Sequence, residues 1–535
     1  MNHHPPAADV HQQPAPEQRK KVPLSELYGP IVVPGAKRTY SRGKLLFIML
    51  VPLMMSLMQV SAINTALPSM QASLGASDSD IQWMISGYAL TIGIVLVPSG
   101  RLGDIFGRSG AFVTGLGIFA VASLLIGLAQ DPLQVNLLRI LQGIGSGILS
   151  PQTTGIIQEY FKGQARAHAF GMFGLAVSAS VAAGPVMSGF LIEFLGPDIG
   201  WRSSFLVLFP LGIIGVFLSF FWLPFGKERR TIGKNKDRAN AEFKHFKEAH
   251  GEEVPQRKGA TIDLDPLGMI LLALAVLGIM VPFMVDTTRW IYLLVLGGVA
   301  LMAVWVAWEK SYKRHGRFPM VDMELFKIPT FSYGTAIVSV LFLGMTSVWA
   351  VFMIFLQNAL DATPLQMGMI SLPNAVISGY ASVWAGRYAI RKGRTIQVWS
   401  LVLYLAGLLG CIFMTYLAYR GVIFWWYIIP TLFMGAGSGA IGSANQTQTM
   451  MDVPPKSGGT AGGVLQTGQR VTTAIGIAFI TAVFFAVRGE IQSDGSAHWY
   501  TGITAAFLVI SVIILVDIVI AEVFRRKGTP PTNPA

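Results

Sequence analysis

The sequence has little charge for its length. Asp, Glu, Lys and Arg make up 13% of the 535 residues, and apolar residues make up 52%, whereas about a quarter of the residues of a soluble protein are charged. Mean hydropathy is +0.54. A soluble chain of this length would form several domains with charged surfaces, and this chain lacks the charge to cover them. The composition therefore excludes an ordinary soluble protein and indicates an integral membrane protein.

Motifs that carry chemistry are also scarce. Cys411 is the only cysteine, which excludes a disulfide framework and a metal site built on cysteines. The phosphate-binding pattern G-x-x-x-x-G-K-[ST] and the zinc pattern H-E-x-x-H are both absent from the sequence. We therefore predict no cofactor, no metal site and no enzymatic activity, and a source of energy other than ATP bound to this chain.

The basic residues are distributed unevenly along the chain. If both termini are cytoplasmic, 33 of the 40 Lys and Arg residues fall in cytoplasmic segments. Lys and Arg mark the cytoplasmic side of membrane proteins and attract anionic lipids. This distribution predicts a multi-pass protein of the cell membrane with both termini in the cytoplasm. It also explains the net charge of +12 without a nucleic-acid partner.

Fourteen apolar stretches are long enough to cross a bilayer as helices, which takes about 20 residues each. They cover residues 45–67, 81–99, 111–129, 133–157, 167–195, 203–223, 266–285, 290–308, 331–356, 367–390, 396–417, 422–442, 459–487 and 502–523. Residues 1–43 are rich in Pro and Gln, which predicts a disordered cytoplasmic tail. A second cytoplasmic tail is predicted at 525–535.

Two short patterns occur twice, in the same order. The segments Gly100–Arg108 and Gly386–Arg394 share the pattern G-R-x-x-x-x-x-G-R, and each is followed by a glycine-rich run, at 143–147 and 435–439. We therefore predict an all-α membrane protein of two related six-helix bundles with two inserted helices between them. The predicted segments are a first bundle at 44–224, a cytoplasmic loop at 225–265, two inserted transmembrane helices at 266–309, a cytoplasmic linker at 310–329 and a second bundle at 330–524.

Such an architecture has a mechanical consequence. Two similar bundles can rock about a site between them, so that the site opens to each side of the membrane in turn. The sequence therefore predicts alternating-access transport of a small molecule, and we expect the transporter to be a monomer.

The repeated segment carries a family resemblance. Gly100–Arg108 matches the signature G-x-L-x-D-x-x-G-R, and nearly the whole chain beyond the tail resembles the fourteen-span drug:proton antiporter branch of the major facilitator superfamily. The resemblance implies the major facilitator fold, multidrug efflux by antiport and a role in antibiotic resistance. It also implies a conformational latch, whose residues here are Gly100, Asp104, Gly107, Arg108, Arg387 and Arg394.

The latch is expected to be one-sided. Asp104 lies where the helix dipole at the N-terminus of span three would favour an anion, whereas Ile390 occupies the corresponding position of the second copy. A capped turn anchored by arginines at the membrane surface is the alternative explanation of the same residues.

Span five resembles the antiporter signature G-P-x-x-G-G in Gly184, Pro185 and Gly189, with Ser188 in place of the first closing glycine. A proline inside a helix removes a backbone hydrogen bond and bends the helix. The resemblance implies that this bend takes part in the conformational switch. A bend and a packing groove without a switching role is the alternative.

Span one departs from the branch. Its members carry an aspartate five residues before the asparagine matched by Asn64, and this sequence has Gln59 there, which cannot bind and release a proton. Span four carries Arg139 and Gln142, which match the family signature R-x-x-Q-G-x-G, and Arg139 is expected at about the depth of Gln59.

Arginines inside membrane spans cost at least about 2.5–3.5 kcal/mol, so each is a candidate functional residue. Arg470 in span thirteen is the second one, and neither has an obvious acidic partner in the sequence. Either Gln59, Asn64 and backbone carbonyls solvate Arg139, or the substrate or a bound lipid supplies an anionic group to it.

Amide side chains of spans nine and twelve could line a central cavity or join helices by hydrogen bonds. With the residues above, they give the candidate substrate and coupling set: Gln59, Asn64, Arg139, Gln142, Gln357, Asn358, Asn445, Gln446 and Arg470.

The sequence thus predicts a secondary active transporter that exports amphipathic, drug-like small molecules, with protons as the coupled ion and membrane lipids as its surroundings. Without an acid at Gln59, the proton would be carried by Asp104 or Asp517. One alternative is an exporter or facilitator of an anionic lipid or metabolite without the usual proton coupling. A membrane sensor or scaffold is another, and a lipid-modifying membrane enzyme, for which no motif is present, is the last.

Overall fold

The computed structural model describes residues 29–31, 39–225, 265–284, 293–315, 317–489 and 498–527. The predicted tail at 1–43 and loop at 225–265 lie almost entirely outside these residues, as does most of the tail at 525–535. A short antiparallel pair of strands, Pro30–Ile31 with Tyr40–Ser41, precedes the first helix. Apart from this pair and a few turns, the described chain is helical.

Seven helices form the first bundle: α1 (Arg42–Leu74), α2 (Asp78–Phe106), α3 (Arg108–Leu128), α4 (Pro132–Tyr160), α5 (Gly163–Leu195), α6 (Pro197–Leu206) and α7 (Leu208–Trp222). Two inserted helices follow, α8 (Pro266–Met284) and α9 (Leu293–Arg314). The second bundle consists of α10 (Pro329–Ala359), α11 (Pro364–Tyr419), α12 (Ile428–Thr449), α13 (Gly458–Arg488) and α14 (Trp499–Arg526).

Several helices begin at the capping residues that the sequence offers. Ser77 and Thr363 form capping boxes at the starts of α2 and α11, and the side chain of Asp131 accepts a hydrogen bond at the start of α4. Gly107 separates α2 from α3 with φ at +105°, a backbone conformation that residues with a Cβ rarely adopt.

The helices are compatible with fourteen membrane crossings. Eleven segments of the described chain are long and apolar enough to cross a membrane, with α6 and α7 together forming one of them. Helices α4 and α12 have 29 and 22 residues but more polar sequences. Helix α11 has 56 residues, enough for two crossings, and its backbone is non-helical only at Lys392. The predicted spans 367–390 and 396–417 are therefore two helices that meet at a kink at Lys392.

We call the end of the molecule that carries Gly100–Arg108 and Gly386–Arg394 the motif face. Near this face the two bundles pack against each other, α2 on α13 and α5 on α11. A β-carbon on Gly463 would lie 2.6 Å from the carbonyl oxygen of Leu96, and one on Gly386 would lie 2.7 Å from that of Ala167. Glycine is needed at both positions because the backbones approach so closely.

The inserted helices lie beside this seam. Helix α8 packs against α9, with the backbones of Gly278 and Gly298 in direct contact. It also packs against α2 of the first bundle and α13 of the second. The inserted pair therefore contacts both bundles next to the place where they meet.

Candidate functional site

Asp104 lies in the last turn of α2 and joins the two bundles. Its Oδ1 accepts a hydrogen bond from the backbone N–H of Gly459 at 3.0 Å, and its Oδ2 accepts two from Thr460, from N and Oγ1, each at 2.8 Å. Gly459 and Thr460 form the first turn of α13, where unpaired backbone N–H groups and the helix dipole favour a negative charge. The helix dipole that Asp104 meets is therefore that of span thirteen, not that of span three as the sequence predicted.

Arg108 holds Asp104 in place. Its Nε and Nη2 donate to Asp104 Oδ1 at 2.9 and 2.7 Å, and its Nη1 donates to Glu159 Oε2 at 3.1 Å. The guanidinium also donates to the carbonyl oxygen of Gly155 in α4 and, across the seam, to that of Pro455. The side chains of Arg108 and Asp104 are only 4% and 3% exposed, so this ion pair is shielded from solvent.

The motif glycines are explained by the same packing. A β-carbon on Gly100 would overlap the carbonyl oxygen of Gly459, and one on Gly103 would overlap the side chain of Gln152. The segment Gly100–Phe106 is helical rather than the predicted loop, because α2 continues until the positive φ of Gly107 ends it.

Gln158, which the sequence analysis missed, adds a further contact across the seam. Its Nε2 donates to the carbonyl oxygens of Met450 and Val453, both at 2.7 Å. Its side chain is buried at the end of α4. A polar residue one position beyond a predicted span end carries no signal by itself, since most such residues face water.

The second copy of the motif makes different contacts. Arg387 is exposed, its backbone carbonyl accepts a hydrogen bond from Gln164 Nε2 of the first bundle, and its charge acts on His168 in α5. The guanidinium of Arg394 stacks on the ring of Phe524 at 4.1 Å, within the second bundle. At the start of α5 the capping position is Lys162, which makes no side-chain capping bond. The N-terminus of α13 thus contacts a carboxylate from the other bundle, whereas the structure shows no such cap for α5.

Arg139 lies deep in the first bundle and is 1% exposed. Its Nε donates to the carbonyl oxygen of Met84 at 2.9 Å and its Nη1 to Gln142 Oε1 at 2.7 Å. Its guanidinium lies 4.1 Å from the centre of the ring of Tyr88. Among the residues that the structure describes, no Asp or Glu forms an ion pair with Arg139.

Gln59 and Asn64 do not solvate Arg139, contrary to one of the two alternatives. Gln59 is buried and its Nε2 donates to the carbonyl oxygen of Ser204 at 3.0 Å, while its Oε1 has no partner. Asn64 is exposed on α1. The backbone part of that alternative is correct: a carbonyl of α2 solvates the arginine, together with Gln142, one turn further along its own helix.

Arg470 approaches from the second bundle. It lies deep in the protein, keeps part of its side chain in contact with solvent, and has Tyr88 as its electrostatic neighbour. The hydroxyl of Tyr88 donates to the carbonyl oxygen of Ser56 at 3.0 Å and to Ser146 Oγ at 3.2 Å. One tyrosine in α2 therefore has an arginine of each bundle near it.

The predicted amide residues do not join this group. Gln357 and Asn358 are exposed at the end of α10, and Asn358 Nδ2 donates to its own helix at Ile354. Asn445 is buried between Gln397 and the carbonyl oxygen of Gly334, and Gln446 lies beside it in the last turn of α12. Because α12 ends at Thr449 rather than at 442, these two residues lie near the motif face.

The glycines of the span-five signature pack on α1. A β-carbon on Gly184 would overlap Ser61 Oγ and lie 2.7 Å from the carbonyl oxygen of Met58, and one on Gly189 would lie 3.7 Å from Thr65. Pro185 lies inside α5, which is assigned as a single helix. The segment therefore forms a close packing groove for α1.

The profile of the Major Facilitator Superfamily matches residues 49–477. The chain is 29% identical over 462 residues to the "Probable actinorhodin transporter" of Streptomyces coelicolor, covering 84% of this chain and 75% of that protein. It is 26% identical over 491 residues to "Cephamycin export protein CmcT" of Amycolatopsis lactamdurans, covering 88% and 90%. The crystal structure of the human organic anion transporter MFSD10 has a likeness in fold, with a TM-score of 0.62 and 13% identity over 90% of this chain and 99% of that one. The chain belongs to the Major Facilitator Superfamily and is a multi-pass membrane transporter rather than an enzyme.

Proposed function

We propose that this transporter exports amphipathic, drug-like small molecules that carry an anionic group. The observation that carries the proposal is the pair of deep arginines, one from each bundle: Arg139 lies over the ring of Tyr88, and Arg470 has the same tyrosine as an electrostatic neighbour. A buried cation without an acidic partner favours a ligand that brings the missing negative charge. The names of the relatives, an actinorhodin transporter and a cephamycin export protein, support export of such compounds.

We infer that the motif face is cytoplasmic and that the structure is the outward-facing state. The basic residues of the sequence support this orientation, since they concentrate in the segments on that side. Hydrogen bonds between the bundles lie in the half next to the motif face. Thr467 donates to the carbonyl oxygen of Gly93, Ser178 bonds to Ser378, and Gly459 donates to Asp104. At their other ends α5 and α11 carry exposed apolar side chains such as Phe190 and Val376.

The proton gradient is the proposed source of energy. Asp104 is engaged in this state, since it accepts hydrogen bonds from α13 and from Arg108. Asp517 in α14 is fully buried, and both of its carboxyl oxygens are without a partner. Burying an unpaired carboxylate is costly, so Asp517 is the better candidate for the group that binds the coupled proton.

An exporter or facilitator of anionic lipids or metabolites without proton coupling is the second candidate function. It is favoured by Gln59, which places an amide where the antiporter branch has an acid. Both candidates share the anionic group and differ in the role of the proton.

Transport by proteoliposomes tests the proposal. We expect export of an anionic amphipathic dye to exceed that of a cationic dye of similar size, and to respond to an imposed pH gradient. Arg139→Gln should reduce export of the anionic dye at least tenfold. Equal export of both dyes would contradict the anionic substrate, and export unchanged by a protonophore would favour the second candidate. Gln59→Asp, repeated in both conditions, shows whether an acid at this position changes the dependence on protons.

A further inference from the structure

The inserted helices carry two buried acids that the proposed transport function does not use. Asp265 immediately precedes α8 and is fully buried, and Glu309 lies near the end of α9 and is 1% exposed. Both lie near the ends of α8 and α9 that are closest to the motif face. The sequence analysis passed over them because they lie at the edges of the predicted spans.

One oxygen of each carboxyl is hydrogen-bonded and the other is not. Asp265 Oδ1 accepts from the backbone N–H of Gly268 and from Trp308 Nε1, both at 2.9 Å. Glu309 Oε2 accepts from the backbone N–H of Val321 at 3.4 Å. Asp265 Oδ2 and Glu309 Oε1 are buried without any partner.

The two unpartnered oxygens face the same small space. A β-carbon on Gly268 would overlap Asp265 Oδ2 and lie 2.9 Å from Glu309 Oε1, and Asp265 acts on Glu309 as a like charge. The indole N–H of Trp305 lies next to Glu309 and is also buried without a partner of normal geometry. The two free carboxyl oxygens therefore converge on one space, with the Trp305 N–H beside Glu309.

None of the basic residues that the structure describes around Asp265 and Glu309 neutralises these two acids. Lys313 of α9 is engaged by Asp322 at 2.9 Å and Glu324 at 3.1 Å. Arg317 stacks over Tyr312 at 5.4 Å. On α9, Lys310 and Arg314 are exposed. On α2, Asp104 is paired with Arg108, and Arg101 makes contacts of its own.

We propose that Asp265 and Glu309 form a proton-binding site in which the two carboxyls hold one proton between them at neutral pH. Two carboxylates that face each other away from solvent cannot both be ionised without a large cost, so one of them binds a proton. The protonated carboxyl can then donate a hydrogen bond to the other, which satisfies both free oxygens.

The site connects pH to the seam between the bundles. Loss of the proton would leave two like charges where α8 and α9 approach each other, and would force these ends apart. Helix α8 packs on α2, where a β-carbon on Gly93 would lie 3.1 Å from Met280 Sδ, and also on α13. Separation of α8 from α9 would therefore loosen the inserted pair next to the seam that Asp104 closes.

Infrared difference spectroscopy of the full-length protein between acid and alkaline pH tests the proposal without any substrate. We expect the wild type to show a protonated-carboxyl band that titrates, and Glu309→Gln to abolish that component. Asp265→Asn should move its midpoint to lower pH, because it removes the like charge while Glu309 stays buried. Asp517→Asn, another buried acid, and Glu522→Gln, a partly exposed acid of α14 paired with Arg525, are controls that should leave this component unchanged.

A spectrum in which Glu309→Gln removes no titrating band would overturn the proposal, as would an unchanged midpoint in Asp265→Asn. If Glu309→Gln does not fold, the midpoint of Asp265→Asn decides the question alone. Loss of the band on addition of Na⁺ or Ca²⁺ at constant pH would also contradict a proton site and would identify a cation site in its place.

Discussion

Asp104 in α2 and Thr460 in α13 are 356 residues apart in the chain and joined by two hydrogen bonds of 2.8 Å, from N and Oγ1 of Thr460 to Oδ2 of Asp104. One carboxylate thus caps a helix of the opposite bundle. Hydrogen bonds to charged groups contribute about 1.5–3 kcal/mol each. We infer that this contact stabilises the closed state of the motif face.

Asp104→Asn should therefore open the motif face. It removes the negative charge from the N-terminus of α13, and we expect about tenfold more of the open state, which corresponds to about 1.4 kcal/mol. The rate at which a maleimide labels Thr467→Cys measures this, because Thr467 is buried at the seam and bonded to the carbonyl oxygen of Gly93. Glu522→Gln is the control, and equal labelling rates in the two variants would contradict the role of Asp104.

Gly100→Ala should have a similar effect through packing alone. The added methyl group would overlap the carbonyl oxygen of Gly459, so α2 and α13 must move apart. Gly110→Ala is a matched control, because a β-carbon there has no atom within 4 Å. We expect the first variant to label faster at Thr467→Cys and the second to label like the parent. Equal labelling rates in the two variants would show that the contact between α2 and α13 accommodates the added methyl group.

Arg139→Gln should separate transport from stability. A deep arginine without an acidic partner is costly to bury, so its replacement should leave the melting temperature unchanged or raise it, while export of the anionic dye falls at least tenfold. Thermal unfolding of the purified protein and transport in proteoliposomes measure the two effects. If the melting temperature falls strongly and transport is lost as well, Arg139 has a structural role instead.

Asp517→Asn should uncouple transport from the proton gradient. The amide matches the neutral acid in shape and cannot release a proton. We expect counterflow of substrate without a gradient to continue, and accumulation driven by a pH gradient to be lost. Glu522 lies on the same helix but is paired with Arg525 and Arg526, so Glu522→Gln should behave like the wild type. Gradient-driven accumulation that survives in Asp517→Asn would exclude this residue as the proton carrier.

The number and order of the helices could be predicted because membrane spans need long apolar runs, and because the repeated motif marks two related halves. Helix ends were less predictable. Helix α2 continues through the motif to Phe106, and α12 continues to Thr449, since polar residues stay helical where they face another helix. Between the spans at 367–390 and 396–417 the helices meet directly at Lys392, and no sequence signal marked so short a connection.

The candidate site was predicted in part. The motif identified Asp104 and Arg108, but their partners at Gly459, Thr460 and Pro455 could not be found, because no local pattern reports a contact between distant segments. For the same reason two alternatives stayed open for Arg139, and the structure shows Gln142 and a backbone carbonyl as its partners. Glu309 was assigned to the end of an inserted span, whereas α9 continues to Arg314 and buries it.

The most direct test of the account is a pair of distances between the bundles, measured by pulsed electron paramagnetic resonance in the same protein. Exposed positions on the motif face, Lys162→Cys and Lys456→Cys, and on the opposite face, Gln130→Cys and Arg420→Cys, accept the spin labels, while native Cys411 is buried. With substrate and at low pH, we expect the motif-face distance to lengthen as the opposite distance shortens. Distances that stay fixed, or that change in the same direction, would contradict alternating access.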